Sequence, residues 1–257
     1  MECYNLIQNP EEVKRFLNIL PEQSMNECLT IALFVRKKYA KGNKSMEHLS
    51  LSNDDGCWDR TIVSASKRDR DNKLQSKVYR AILKYNTPIG TWVDRNGVDL
   101  PEDLLSLYIS INPRCAVKGT RELISSINRD CFLPTTSEEP FVGNLVSRAK
   151  TMLQKNVSRK LIADIDIDIK DENVLKVFRD LVQGWDSEVC SIETRGGYHI
   201  LTDINKMSEA NKKWHPIISK LADEYKDEEG KSLVEFKTDT LCPIVGSKQA
   251  GFTVKII

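Results

Sequence analysis

Three aspartates alternate with isoleucines in the segment Asp-Ile-Asp-Ile-Asp-Ile, residues 164–169. Residues two apart on a β-strand share one face, so Asp164, Asp166 and Asp168 are predicted to project from the same side of a strand. Crowded carboxylates repel one another, and folding gains nothing from them unless cations compensate the charge. Divalent metal ions are the natural compensation, because hard cations prefer carboxylate oxygen ligands. The alternative interpretation is an exposed strand whose acidic face is solvated.

Between two further predicted strands lies a turn with the sequence Thr-Arg-Gly-Gly-Tyr-His, residues 194–199. Its two glycines allow the backbone to approach a phosphate group closely. Arg195 offers a fork of N–H donors that suits phosphate oxygens, and His199 begins the returning strand. The alternative interpretation is an ordinary hairpin, because short motifs of this kind often arise by chance.

A third polar group lies on the predicted strand 233–239. Glu235, Lys237 and Asp239 share one face of this strand, and apolar residues occupy the other. The alternative interpretation is again a solvated polar face. Three polar groups on strands of one sheet are harder to attribute to solvation than any one of them, so a shared site is predicted.

These three features resemble the three motifs of the archaeo-eukaryotic primase superfamily, in the same order and with similar separations. The acidic strand contributes Ala163–Asp166, the turn contributes Gly197–His199, and strand 233–239 contributes a later acid. Residues 241–252, Leu-Cys-Pro-Ile-Val-Gly-Ser-Lys-Gln-Ala-Gly-Phe, resemble the Pro-Gly-Thr/Ser loop that follows the third motif in many primase-polymerases. The resemblance covers about residues 160–257.

The sequence departs from the family pattern at two points and leaves one assignment open. Gly197 stands where a serine is usual, and Val245 stands in the loop where proline is common. The third acid is either Asp239 or Glu235, and Asp239 is preferred because it lies nearest the loop. Upstream, Arg114 follows a strand end that leads into the catalytic cleft in similar proteins, and a structural surface arginine would fit the same position.

The resemblance implies a two-metal phosphoryl transfer, with two Mg²⁺ or Mn²⁺ ions roughly 3.5–4 Å apart. His199 would contact the triphosphate of the incoming nucleotide, and Asp168 would support the site without binding metal. The residues assigned to metal binding are Asp164, Asp166 and either Asp239 or Glu235. The residues assigned to nucleotide binding are Arg114, Arg195, Gly197, His199 and Lys248, and those assigned to catalysis are Asp164, Asp166, His199 and Asp239.

The implied function is that of a DNA primase or primase-polymerase, which makes or extends primers on a single-stranded DNA template from nucleoside triphosphates. Any helicase would be a separate polypeptide. One alternative is a metal-dependent nuclease, which also needs clustered carboxylates. Another is a non-catalytic single-stranded nucleic-acid-binding module. Aspartates on the sheet face argue against this second alternative, because they would repel a nucleic-acid backbone unless metal is present.

The predicted elements place these motifs in an α+β fold. The order after residue 156 is strand–helix–strand–strand–helix–strand, which is the split βαβ, RRM-like order. We expect an RRM-like catalytic half over 156–257, packed on a smaller α/β module over 60–155. Residues 1–45 are predicted to form accessory N-terminal helices, the first capped by Asn9 and the second over 28–35, and residues 41–59 a connector.

Composition sets wide limits on function. Lys plus Arg (38) nearly equals Asp plus Glu (37), so a wholly electrostatic partnership with nucleic acid is excluded, although a local basic groove is not. The seven cysteines lack zinc-site spacing, so no zinc is expected. No signal peptide and no apolar stretch of about 20 residues is found, so we expect a cytoplasmic protein without membrane contact. A compact enzyme of this kind would suit a virus or mobile element.

Overall fold

The computed structural model describes residues 2–39, 49, 56–65, 73–132 and 144–257. Within these ranges the chain forms seven α-helices and two antiparallel sheets, so the predicted α+β class is confirmed. Most of the predicted connector 41–59 lies outside the described residues, as do residues 40–45 of the predicted N-terminal helical segment. Across the described ranges, no helix combines the length and apolar composition needed to cross a membrane.

The helices are α1 (Pro10–Ile19), α2 (Lys73–Leu83), α3 (Ala116–Phe132), α4 (Leu145–Lys155), α5 (Glu172–Gly184), α6 (Ile204–Ala210) and α7 (Trp214–Ala222). The strands are β1 (Glu27–Val35), β2 (Cys57–Ser64), β3 (Leu105–Ser110), β4 (Arg114–Cys115), β5 (Ile162–Ile167), β6 (Glu188–Glu193), β7 (Tyr198–Asp203), β8 (Val234–Lys237), β9 (Leu241–Pro243), β10 (Lys248–Gln249), β11 (Phe252–Thr253) and β12 (Lys255–Ile256). The single helix predicted near 206–225 is in fact the pair α6 and α7.

The first sheet has the order β11-β10-β3-β1-β2, with β4 also paired to β1 and β9 to β3. The predicted helix over 28–35 is wrong, because these residues form β1 in the interior of this sheet. Nearly every residue of β1 is buried, on both faces of the sheet. A strand buried on both faces reads as a continuous apolar run, which periodicity cannot distinguish from a buried helix. Residues 27–35 are therefore part of the main sheet and not of an accessory helical segment.

The second sheet has the order β12-β6-β7-β5-β8, with β5 between β7 and β8. In this register Asp166 lies opposite His199 of β7 and opposite Glu235 of β8. The isoleucine face of β5 packs into a core that contains Phe178 of α5 and Ile218 of α7. The aspartate face therefore points away from these helices, because successive side chains on a strand alternate between faces.

The two sheets share a second hydrophobic core. Ile192 and Leu201 of the second sheet lie in the same buried cluster as Leu33 and Ile109 of the first. The C-terminal chain also joins the sheets, since β9 and β10 pair with β3 and β12 pairs with β6. The aspartate face of the second sheet is thereby held opposite the first sheet.

Candidate active site

A cleft of about 430 Å³ separates the two sheets beside the acidic strand. The first sheet contributes Phe34 and Tyr108 to its lining, and the second contributes Asp166, His199 and Lys237. The predicted motifs of β5, β7 and β8 therefore meet at one place, as the antiparallel pairing of these strands requires.

Asp164 and His199 form a buried pair at the base of the acidic face. His199 Nδ1 lies 3.1 and 3.0 Å from the two carboxylate oxygens of Asp164, which has no exposed surface. Burial raises the pKa of Asp164. Burial lowers the pKa of His199, but the charge of Asp164 and the hydrogen bond with it outweigh burial and raise that pKa to about 9. His199 is therefore an imidazolium at neutral pH. Its ring lines the cleft, and its second N–H donor, Nε2, is not used by Asp164.

Asp166 is the carboxylate of β5 that lines the cleft. Its Oδ2 accepts a hydrogen bond from Lys237 Nζ at 2.8 Å, and its Oδ1 lies 3.7 Å from His199 Nδ1. Burial raises the pKa of Asp166, but the charges of His199 and Lys237 outweigh burial and lower that pKa below its ordinary value. Asp166 is therefore ionised at neutral pH. Asp168 lies two residues after Asp166 on the same face. It is exposed and also lines the cleft.

The two candidates for the third acid lie in different surroundings. Asp239 lines the cleft and forms an ion pair with Arg114. Glu235 lies beside Asp166 on the neighbouring strand, and its Oε2 forms an ion pair with Lys237 Nζ at 2.6 Å. Among the described residues, Asp239 belongs to the lining of the cleft, whereas Glu235 does not. The geometry therefore places Asp239 closer to a ligand in the cleft.

Arg114 lines the cleft but is 1% exposed, which is unusual for an arginine. One guanidinium nitrogen binds Asp239, and another donates to the carbonyl oxygen of Thr240 at 3.2 Å. Arg114 therefore fixes the segment that carries Asp239. The predicted surface alternative for this arginine is wrong, because the side chain is buried.

Arg195 and Lys248, both predicted to bind nucleotide, differ in their position relative to the cleft. Arg195 lies at the cleft margin, with its guanidinium carbon 4.7 Å from the ring centroid of Tyr39, a residue that lines the cleft. Lys248 is absent from the described lining of the cleft, and its Nζ donates to Glu102 at 2.5 Å. The adjacent Ser247 is fully buried and donates to a carbonyl oxygen of its own loop at 2.6 Å. Much of the loop that resembles a nucleotide-binding motif is thus held by the protein itself.

The sequence prediction missed the basic side of the cleft. Arg36 and Lys38 follow β1, Lys155 ends α4, and all three line the cleft. The charge of Lys38 also contributes to the lowered pKa of Asp166. The segment that precedes Arg36 and Lys38 was predicted as a helix over 28–35 but is strand β1, so the position of these two residues beside the cleft was missed.

Gly197 is required by the close approach of the turn to β5. A Cβ atom at Gly197 would lie 1.8 Å from the carbonyl oxygen of Ile167, whereas one at Gly196 would meet only Lys38 Nζ at 3.7 Å. No serine can occupy position 197 without moving the backbone. This contact explains why a glycine stands at position 197.

We expect Gly197→Ala to destabilise the chain by at least about 3 kcal/mol, because the overlap is with backbone that cannot rotate away. The matched variant Gly196→Ala is expected to change stability by no more than about 0.5 kcal/mol. Urea unfolding of both variants measures the difference. Equal stability of the two variants would contradict the packing described for the turn.

Cys242 adds a sulfur atom to the buried pair. Its ligand atom and those of Asp164 and His199 all lie within 4.8 Å of one another. Burial raises the pKa of Cys242 well above its ordinary value, so this residue is a neutral thiol at neutral pH. Hard divalent cations such as Mg²⁺ prefer oxygen ligands to sulfur, so the carboxylate oxygens of the cleft are better candidates for binding them.

The chain matches no protein-family model, no curated protein and no solved structure. What the cleft can do therefore follows from its own groups. Ionised carboxylates on one side can hold a divalent cation, and the basic groups on the other can hold an anion such as phosphate.

Proposed function

We propose that this chain is a metal-dependent nucleotidyltransferase of the primase-polymerase type, acting on single-stranded DNA with nucleoside triphosphates. The observation that carries the proposal is the position of ionised Asp166 in a cleft that also contains Arg36 and Lys38. Such a cleft suits a ligand that combines a divalent cation with several phosphates. A nucleoside triphosphate with its metal ion is that kind of ligand.

The topology of the second sheet supports an RRM-like assignment for the catalytic half. Strands and helices from β5 to β8 follow the split βαβ element order, and the four strands have the spatial order β8-β5-β7-β6. This arrangement brings the first and third strands of the unit side by side. It is therefore the arrangement that sets Asp166 directly opposite His199.

The donor atoms at the cleft fit Mg²⁺ or Mn²⁺. Asp166 and Asp239 present carboxylate oxygens there, and Asp164 lies two residues before Asp166 on the same face of β5. We assign metal binding to Asp166, with Asp164 and Asp239 as its partners. When bound, a divalent ion would neutralise phosphate charge and lower the pKa of the attacking 3′-hydroxyl.

The protein groups around the metal ligands have separate roles in the proposed reaction. The imidazolium of His199 donates a hydrogen bond to a phosphate oxygen of the incoming nucleotide, while Asp164 keeps the ring charged and oriented. Arg36, Lys38 and Lys155 attract the remaining triphosphate charge. Lys248 has no role in this scheme, because its ammonium group is held by Glu102.

The alternative of a metal-dependent nuclease would use the same carboxylates. The basic groups opposite Asp166, together with the imidazolium, favour triphosphate binding over hydrolysis, because the anion they would hold carries several charges. A non-catalytic nucleic-acid-binding module is disfavoured by the carboxylates that face the cleft.

A primer-extension assay tests the proposal. Purified protein is incubated with single-stranded DNA, Mn²⁺ or Mg²⁺, and labelled ribo- or deoxyribonucleoside triphosphates, with and without an annealed primer. We expect incorporation that stops when EDTA removes the metal ions. Shortening of end-labelled DNA without incorporation would indicate the nuclease instead, and neither activity in the presence of metal would overturn the proposal.

A further inference from the structure

Lys237 has no place in a site that holds two metal ions. It lies on β8 opposite Asp164 in the register of the β5–β8 pair, and Glu235 lies opposite Asp166. Strand β8, next to the acidic strand β5, therefore supplies the ammonium group of Lys237 at a position where a second metal ion would need a further carboxylate ligand.

The ammonium group of Lys237 lies between two carboxylates. Its Nζ is 2.8 Å from Asp166 Oδ2 and 2.6 Å from Glu235 Oε2. The side chain is 35% exposed and extends from a strand paired to β5 on both sides of Asp166. Lys237 is thus a charged group fixed to the acidic face.

The charges on this face leave room for one divalent ion. Among the side chains in direct contact, three carboxylates (Asp164, Asp166 and Glu235) meet two cations (His199 and Lys237), so this group has an excess of one negative charge. Asp168 lies outside this group and is exposed, and Asp239 is paired with Arg114. One divalent ion at Asp166 reverses the sign of that excess. A second ion would add positive charge next to a fixed ammonium group, and like charges at such a separation repel.

We propose that Lys237 stands in for one of two divalent ions, so that each chain binds a single divalent ion at Asp166. This inference rests on the proposed function, since it concerns the same site. In the reaction, the ammonium group would hold Asp166 in place and offset negative charge that a second ion would otherwise offset.

Mn²⁺ binding to the metal-free full chain tests the inference. Electron paramagnetic resonance measures free Mn²⁺ during a titration, and it requires no activity. We expect one ion per wild-type chain and two per chain of Lys237→Met, because that variant frees the carboxylates of Asp166 and Glu235. The matched control is Lys206→Met, whose ammonium pairs with exposed Asp186 at 3.1 Å, and one ion is expected there.

The outcomes separate the inference from the proposed function. Two ions per wild-type chain, or one ion of unchanged affinity in folded Lys237→Met, would overturn the inference and leave the transferase proposal standing. No ion bound by the wild type, together with no nucleotide incorporation, would overturn both. Should Lys237→Met not fold, a single wild-type ion that is lost in Asp166→Asn supports the inference, and a wild-type count of two still overturns it.

Discussion

Asp166→Asn is expected to lower metal-dependent nucleotide incorporation by about a thousandfold, and to cost less stability than the same change at the fully buried Asp164. The carboxylate of Asp166 is ionised and lines the cleft, so it is the group of β5 that a metal ion in the cleft would meet. Asparagine keeps the size of the side chain but removes the negative charge that holds a divalent cation. Incorporation on a primed template, measured at saturating Mn²⁺, gives the ratio of the two rates.

The neighbouring Asp164 is a poorer choice for this experiment. It has no exposed surface, and both of its oxygens face the imidazolium of His199. Removing one partner of a buried ion pair costs about 3–5 kcal/mol, because the other charge is left uncompensated. Loss of activity in Asp164→Asn would therefore combine a change in the site with a change in folding. Asp166 is partly exposed and its partner Lys237 keeps Glu235, so Asp166→Asn affects folding less.

The matched control is Asp180→Asn on α5. Asp180 is an exposed aspartate that pairs with Lys176 at 2.8 Å and does not line the cleft. Its replacement is expected to leave incorporation within about twofold, since an exposed ion pair contributes little. Thermal melting of both variants checks that they are folded. Wild-type activity in folded Asp166→Asn would refute the assignment of this carboxylate.

The acidic strand could be predicted from sequence because its information is local. Alternation of aspartate with isoleucine fixes both the strand and its two faces, and the buried isoleucines then decide which face meets the helices. The hairpin of β6 and β7 is also local, and it carries His199 to the strand beside β5. The proximity of side chains that belong to one alternating strand or one hairpin can therefore be predicted without knowledge of the rest of the chain.

The first sheet and the basic side of the cleft could not be predicted in the same way. Strand β1 is buried on both faces and has no alternation to distinguish it from a helix. Arg36 and Lys38 reach the cleft only because β1 pairs with β3 far along the sequence. The error in one element therefore hid the residues that follow it.

The roles of Lys237 and Lys248 depended on contacts that spacing does not encode. Both are lysines near the predicted motifs, yet one is paired with Asp166 and the other with Glu102. Lys237 meets Asp166 because β8 pairs with β5. Lys248 meets Glu102 because β10 pairs with β3, and Glu102 lies just before β3 in the chain. Sequence can propose the cation, but the sheet order decides which carboxylate it meets.

The stability of the metal-free chain is expected to fall by about 2 kcal/mol between pH 6.5 and pH 8.5. The pKa of His199 is raised from 6.5 to about 9 in the folded chain, chiefly by Asp164 against the opposing effect of burial. A group whose pKa is raised on folding binds more protons in the native state, so its contribution is complete below pH 6.5 and is lost towards pH 9. Urea unfolding in EDTA measures the decline.

The upper limit of pH 8.5 avoids a second source of the same trend. Burial raises the thiol pKa of Cys28 and of Cys190 above their ordinary value of 9.0, so these groups also weaken the native state at higher pH. NMR titration of the histidine rings gives an independent reading, and the His199 ring is expected to titrate near pH 9.

The double variant Asp164→Asn with His199→Gln replaces the charged pair by two neutral amides that can still hydrogen bond. Neither amide titrates, so the decline between pH 6.5 and 8.5 is expected to disappear, whereas the exposed-histidine control His215→Gln should keep it. A wild-type stability that stays level over this range, with His199 titrating near 6.5, would mean that His199 is neutral in the cleft. A neutral ring with its proton on Nδ1, towards Asp164, would offer phosphate neither a positive charge nor an N–H donor. The basic residues after β1 would then have to bind the triphosphate without it.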